Sequence, residues 1–305
     1  MPLNIPNKLP AIEQLKKENI FVIDALRASK QDIRPLKIAF LNLMPIKITT
    51  ETDLIRVLSN SPLQIELDFI KISSHTSKNT PIEHMKAFYI DFDEIKKKKY
   101  DGLIVTGAPI ELLNFEQVTY WEEMKAIFDW AKTNVTSSFF ICWSAQAALY
   151  HYYGVPKYPL AKKMFGVFEH TLNDPLNPIF RGFDDVFYAP HSRNTEVRKA
   201  DIEQVSGLTI LSESDDSGVY MATARNGREF FVTGHSEYNP STLDTEYKRD
   251  VKKGLSIEIP RNYYLNNDPS KHPVVRWRSH ANLLFTNWLN YFVYQETPFD
   301  INDIQ

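Results

Sequence analysis

The stretch FFICWSAQAA, residues 139–148, decides how this chain is read. Phe139 to Cys142 is an apolar run of the kind that ends a buried strand, and Ser144 to Leu149 (SAQAAL) reads as the opening of a helix. Cys142, the only cysteine in the chain, stands at the junction. A strand that turns straight into a helix at a nucleophilic side chain is a nucleophile elbow in outline. The sulfur then sits at the positive end of a helix dipole, a setting that favours a thiolate, and the Trp143 N–H is free to meet an oxyanion. A lone cysteine among apolar residues is also, and more often, a small buried hydrophobe. The elbow must therefore be weighed against its surroundings.

Upstream of it, residues 37–43 (KIAFLNL) read as a buried strand stopped by Met44-Pro45. Thr49 to Ser59 reads as a helix with Glu51 and Asp53 in its first turn, and Gln64 to Ile72 as a second strand. Strand, helix and strand at that spacing predict a parallel βαβ unit. Ser73 to Pro81 is a loop. Lys96 to Lys99 is a solvated helix end or turn. Gly102 to Thr106 is a third buried strand that ends in the tight turn Gly107-Ala108-Pro109, with Glu111 directly after it. Ligands bind at such strand carboxyl ends in open α/β sheets. A helix from Glu116 to Lys132, buried along Tyr120, Met124, Ile127 and Phe128, leads into the cysteine strand. The helix beyond runs to Tyr153, where Gly154 and Pro156 stop it.

The second half is richer in strands, and they read as antiparallel. Lys163–Thr171, Asp185–Ala189, Gly207–Glu213, Gly218–Ala224 and Glu229–Thr233 fit, the last two joined by a turn at Arg225-Asn226-Gly227. Helices at Thr242–Lys253 and His280–Tyr294 complete the chain, the latter burying Leu284, Trp288 and Phe292. Residues 1–36, with prolines at 2, 6, 10 and 35 and a short helix near Ile12–Glu18, read as an arm on the body of the protein or on a partner subunit, or as a loose tail. No linker splits residues 37–305, which are expected to form a single domain with the arm attached to it.

His235 and Glu237 lie two residues apart just beyond an apolar strand, and in extended chain that spacing turns both side chains to one face. A carboxylate placed so can orient a histidine. With Cys142 they make a candidate Cys-His-Glu triad. Alone, an H-x-E pair is commonly a surface histidine beside a solvated glutamate. Here a cysteine elbow, an H-x-E and a Gly-Ala-Pro turn follow three separate buried strands.

Composition narrows the partners. With 35 basic and 38 acidic residues in 305, no polyanion-binding surface is indicated, and nucleic acid is excluded as an expected partner. No apolar run approaches the ~18 residues of a membrane span, no secretory leader is expected, and a single cysteine fits a reducing cytoplasm. Spaced Cys/His pairs that would bind zinc are absent from the sequence.

The elbow and the H-x-E element resemble the class I glutamine amidotransferase-like fold, a flavodoxin-like α/β architecture whose mostly parallel sheet is flanked by helices. More closely, NLMPIKITTE (42–51), TGAPIE (106–111), CWSAQAAL (142–149), GVFEH (166–170), APHSR (189–193) and GHSEY (234–238) resemble the homoserine O-acyltransferases built on that fold. No G-x-S-x-G stands in the sequence, so the serine-based α/β-hydrolase family with the same activity is not the one meant. The resemblance implies ping-pong acyl transfer from an acyl-CoA co-substrate to L-homoserine through an acyl-thioester on Cys142, with no permanently bound cofactor and with a homodimer expected. By the same resemblance Lys47 joins the Trp143 N–H in holding the oxyanion, and Lys163, Ser192 and Arg249 meet homoserine. Glu111 selects acetyl over succinyl: its carboxylate fills space and repels the second carboxylate of a succinyl group. From residues alone these positions stay open. Lys47 can be a solvated lysine near a helix start, Arg249 in EYKRD a helix-surface ion pair, Lys163 beside Lys162 a solvent-facing lysine, Ser192 or its neighbour His191 a turn residue, and Glu111 the start of a helix. Acetyl-CoA is the expected donor. Succinyl-CoA, or glutamine hydrolysis as an amidotransferase subunit, are the alternatives. A non-catalytic ligand sensor on the same fold needs none of the triad.

Overall fold

The computed structural model describes residues 3–5, 9–17, 22–24, 34–75, 79–298 and 300–304. Pro2, Pro6 and Glu18 of the expected arm lie outside them. Where the arm is described, β1 (Leu3–Ile5) and β2 (Val22–Asp24) flank α1 (Ala11–Lys17). Leu9, Ala11 and Leu15 are buried in the main core, and Asn4 pairs with Glu66 of β4 (Ile65–Lys71).

The centre of the sheet is parallel because its strands are apolar on both faces. β3 (Leu36–Leu41), β6 (Tyr100–Val105) and β7 (Val135–Ile141) are buried at nearly every position, the pattern expected of strands covered by helices on both sides. Side chains alternate between the two covers. Phe139 and Ile141 enter one apolar core with Ile38, Phe40 and Trp288, whereas Phe140 enters the other with Leu41, Val105 and Phe128. The helices that provide these covers include α2 (Lys47–Leu58), α5 (Trp121–Asn134) and α6 (Trp143–Tyr153). Between β4 and α5 lie three elements that the sequence reading left unassigned: α3 (Ile82–Phe88), β5 (Tyr89–Asp91) and α4 (Phe92–Ile95).

After α6, whose C-terminus closes on left-handed Gly154 (φ 69°), come β8 (Lys157–Leu172), β9 (Val186–Val197), α7 (Lys199–Glu203), β10 (Leu208–Ser214), β11 (Gly218–Ala224) and β12 (Glu229–Val232). The sheet order is β2-β1-β4-β3-β6-β7-β12-β11-β10-β8-β9, with β5 on β4. Pairing is parallel from β2 to β12 and antiparallel from β12 to β9. The mostly parallel sheet with antiparallel strands in the second half is thus the architecture the sequence implies.

Several bounds differ from expectation for physical reasons. β9 does not stop before Pro190. Among the described residues it is the terminal strand, paired on one side only, so the missing N–H is tolerated. α2 begins at Lys47, so Glu51 and Asp53 lie past its first turn and are buried rather than capping. α5 begins at Trp121 after a separate 3-10 turn at Phe115–Gln117. α8 (Thr242–Lys252) follows β12 as expected. The last helix divides into α9 (Arg278–Asn287) and a π-helical continuation, Trp288–Tyr294. Leu284 and Trp288 are buried, Phe292 packs half-buried against the same core, and the Trp288 indole N–H donates to Ser137 of β7 at 3.0 Å. Among the described residues no helix is long and apolar enough to cross a membrane.

Candidate active site

Cys142 sits where β7 ends and α6 begins, with φ 54° and ψ −113°. A non-glycine residue in that region is strained by about 1–3 kcal/mol and must be held there by its surroundings. Two sets of bonds hold it. The Cys142 N–H donates to Val232 of β12 at 2.7 Å, and the Ser144 hydroxyl both accepts from the Ile141 N–H (2.9 Å) and donates to the Val105 carbonyl (2.7 Å). The elbow is thereby tied to β6 and β12 at once. Trp143 is the first helical residue, whose N–H has no carbonyl one turn back to donate to, while its indole is fully buried in the core.

Pairing of β12 with β7 aligns Val232 with Ile141, which brings the chain after β12 up beside Cys142. His235 lies there, its N–H donating to Pro190 of β9 at 2.8 Å. Its Nδ1 meets Glu237 Oε1 at 2.7 Å, and its ring lies beside Cys142, both side chains packing against Gly107. Cys142, His235 and Glu237 are brought together as expected, but the local reason differs. His235 to Glu237 is a turn, closed by the Tyr238 N–H on the His235 carbonyl (3.2 Å), and not extended strand. Tyr238 stacks on the imidazole with ring centres 4.2 Å apart. Burial works against charge on His235, yet the Glu237 carboxylate and the Cys142 sulfur outweigh it and hold the imidazole well above its ordinary range.

A cavity of about 1080 Å³ opens over Cys142 and His235. Glu111, Lys163, Ser192 and Arg249 line it. Glu111 does not begin a helix; it lies in a turn where its Oε1 accepts from the Asn194 amide at 2.7 Å. Lys163 Nζ (3.2 Å) and Ser192 Oγ (2.5 Å) converge on Glu246 Oε2, and the Tyr238 hydroxyl reaches the other oxygen at 3.3 Å. Arg249 closes a two-pronged pair on its neighbour Asp250, at 2.7 and 3.0 Å. Lys47 lies apart from these. Its ammonium is buried against the carbonyls of Asn42 and Met44, and Lys47 is not in the lining of the cavity. Burial draws it down to about 8, with Glu51 opposing. Met44 and Pro45, the loop Lys47 grips, do line the cavity.

Glu246 escaped the sequence reading, although it lies three residues before Arg249 on α8, a spacing that puts both on one helix face. Asn194 was missed with the second half of β9. His191 points away from Ser192, into the protein, where its Nε2 meets His170 Nε2 at 3.0 Å. Among the described residues no group of His, Cys, Asp and Glu could hold a metal ion. A buried thiol with a raised imidazole, oriented by a carboxylate and open to a cavity, is equipped for nucleophilic acyl chemistry.

The profile of a family described as homoserine O-succinyltransferase matches residues 2–299. Over 305 residues, all of this chain and all of the relative, the sequence is 71% identical to a homoserine O-acetyltransferase of Bacteroides thetaiotaomicron. It is 72% identical over the same span to a homoserine O-acetyltransferase of Bacteroides fragilis. Among solved structures, a glutamine amidotransferase from Thermotoga maritima superposes with a TM-score of 0.56 at 12% identity, covering 86% of this chain and 100% of its own, a likeness of fold alone. With the profile spanning nearly the whole chain and relatives of this identity aligned end to end, the chain belongs to the homoserine O-succinyltransferase family of homoserine O-acyltransferases.

Proposed function

We propose that this chain transfers the acetyl group of acetyl-CoA to the hydroxyl of L-homoserine, giving O-acetyl-L-homoserine for methionine biosynthesis. The observation that carries the chemistry is the Cys142–His235–Glu237 constellation, with His235 Nδ1 held at 2.7 Å by Glu237 and its ring packed beside Cys142. In the first half-reaction the Cys142 sulfur attacks the thioester carbonyl carbon. The bond to the CoA sulfur breaks, and the departing CoA thiolate takes its proton from His235. In the second, His235 accepts the homoserine hydroxyl proton, the oxygen attacks the acetyl carbon, and Cys142 leaves. The Trp143 N–H, unpaired within its helix, supports an oxyanion role in both steps. Lys47 is read as the partner of that N–H, acting from the loop it grips and through its charge.

A free amino acid brings one carboxylate and one ammonium. Glu246 is the anionic group that Lys163 and Ser192 converge upon and suits the ammonium, while Arg249 suits the carboxylate on exchanging Asp250 for it. Glu111 supports acetyl over succinyl, since it adds a fixed carboxylate to the cavity that holds Cys142. The names of the full-length relatives agree with that choice, whereas the family's own description names succinyl. The protein is read as a cytoplasmic homodimer with no bound cofactor.

Intact-mass spectrometry after mixing with acetyl-CoA or succinyl-CoA, without homoserine, tests the reading. An acetyl increment on the wild-type chain that is lost in Cys142→Ser is expected. An increment with succinyl-CoA in preference overturns the choice of donor, and none with either donor overturns the mechanism.

A further inference from the structure

Behind the elbow, on the face of β9 turned away from the cavity, lies Arg193, only 2% exposed. Its guanidinium donates to the Thr195 carbonyl at 2.7 Å, to the Ser217 carbonyl, and through Nε to His191 Nδ1 at 3.4 Å. None of these partners is an anion. With His191 Nδ1 accepting, its Nε2 carries the hydrogen that is donated to His170 Nε2, so both rings are neutral. Burial holds His170 down to about 3, and burial with the nearby positive groups holds His191 well below its ordinary range. A buried guanidinium with only neutral partners is costly, and two carbonyls could be satisfied by a neutral amide donor instead. Its location supplies a reason. Thr195 Oγ1 donates to Gln146 Oε1 at 2.7 Å, the Gln146 amide returns a bond to the Thr195 carbonyl at 3.2 Å, and the Gln146 N–H donates to the carbonyl of Cys142. The arginine is thus fastened through one residue to the first turn of the helix that carries the nucleophile. Negative charge at Cys142, ahead of that on Glu196, partly restores the guanidinium from its burial.

We propose that Arg193 supplies a fixed positive charge behind Cys142, stabilising the anionic sulfur before attack and the oxyanion after it, an inference that rests on the reading of Cys142 as the nucleophile. Arg193 does not line the cavity and touches no substrate, so it acts through the field it imposes. The other titratable groups packed around it are His170 and His191, both neutral, Tyr220, whose hydroxyl burial keeps protonated, His235 with its Glu237 partner, and Glu196 further along β9. Arg193 and protonated His235 are therefore its two cations, and only His235 gives up its proton during turnover.

Because the chain has one cysteine, alkylation reports on this sulfur alone. Wild type and Arg193→Met are compared for their rates with neutral iodoacetamide and with anionic iodoacetate. In Arg193→Met the iodoacetamide rate is expected to fall about tenfold, the scale of one lost charge interaction, and the preference for the anionic reagent is expected to shrink. Arg193→Lys restores most of both. Rates, reagent preference and pH profile matching wild type in a folded Arg193→Met overturn the proposal. Should Arg193→Met fail to fold, Arg193→Gln takes its place, since a neutral amide can still donate to the Thr195 and Ser217 carbonyls without the charge. An iodoacetamide rate below wild type in Arg193→Gln supports the fixed charge, and a rate equal to wild type overturns it. Acetylation of wild type by acetyl-CoA is scored separately, so that failure of the nucleophile reading is not confused with failure of the arginine.

Discussion

The two faces of β9 carry polar residues in equal measure and treat them oppositely. On the cavity face, Ser192 and Asn194 meet Glu246 and Glu111, and the neighbouring charges are paired: Lys163 with Glu246, Arg249 with Asp250. On the buried face, His191 and Arg193 form a chain with His170 in which the only formal charge, on Arg193, has no carboxylate among its bonds. Pairs that reach solvent on one side are cheaper to break and remake than pairs locked in the interior, which suits the proposed exchange of one partner for a substrate. A charge locked in the interior is not rearranged, and it can act only as a constant field. On the proposed reading, one strand separates what binds from what polarises.

The comparison is broken most readily at Glu246. In Glu246→Gln the cavity face loses the anion on which Lys163, Ser192 and Tyr238 converge, and kcat/KM for homoserine is expected to fall about a hundredfold, the scale of one or two charge-assisted hydrogen bonds. Acetylation of Cys142 in the absence of homoserine is expected to proceed as in wild type. Loss of both half-reactions would instead put Glu246 among the groups that build the triad.

The buried face is sharpened by acid. His170 accepts a proton in the unfolded chain below about pH 6.5 but is held down to about 3 by burial in the folded one. The unfolded state therefore binds more protons in that window, so stability is full above it and is lost as pH falls. From pH 7 to 4.5 the loss assigned to His170 is about 2–3 kcal/mol. Asp53 acts in the opposite sense. Burial raises it to about 6 despite Arg56, so the folded state gains a proton first as pH falls from about 6 towards 4. Urea unfolding across pH 4.5–7 for wild type and His170→Asn isolates the histidine, since Asp53 is common to both. Parallel curves would remove His170 from the account.

The smallest expected effect lies back on the cavity face. Glu111→Gly removes the carboxylate that Asn194 holds, and the ratio of succinyl-CoA to acetyl-CoA use is expected to rise about tenfold, comparable with relief of one screened like-charge contact. An unchanged ratio in competition between the two donors would leave acyl choice to other residues of the cavity.

Much of this was legible in the chain because it follows from local rules. The continuous apolar runs of β3, β6 and β7 announced a covered parallel sheet, and Cys142 and the His235–Glu237 pair stood at strand ends where an α/β sheet presents its chemistry. What was not legible depended on partners distant in sequence. The strand expected over Asp185–Ala189 runs on through Pro190 to Val197, because an edge position cannot be seen in a sequence, and with the rest of β9 went Asn194 and Arg193. Glu246 looked like any helix-surface acid until β8 and β9 delivered Lys163 and Ser192 to it. Lys47 read as a solvent lysine or an oxyanion ligand, and its grip on the Asn42 and Met44 carbonyls is a matter of burial that charge pattern does not encode.

The bond from the Trp288 indole to Ser137 bears on how the molecule comes to exist. The strand that leads into Cys142 is backed by a residue synthesised roughly 150 positions after it. At ~5–20 residues per second of translation, that interval is on the order of ten to thirty seconds. Throughout it the aromatic side of β7, with Phe139, lacks its cover from Trp288 and Phe285. A nascent chain on the ribosome therefore carries Cys142 long before the strand beside it is covered, and chaperone occupancy of an uncovered β7 is the consequence to look for in ribosome-bound chains arrested before residue 288.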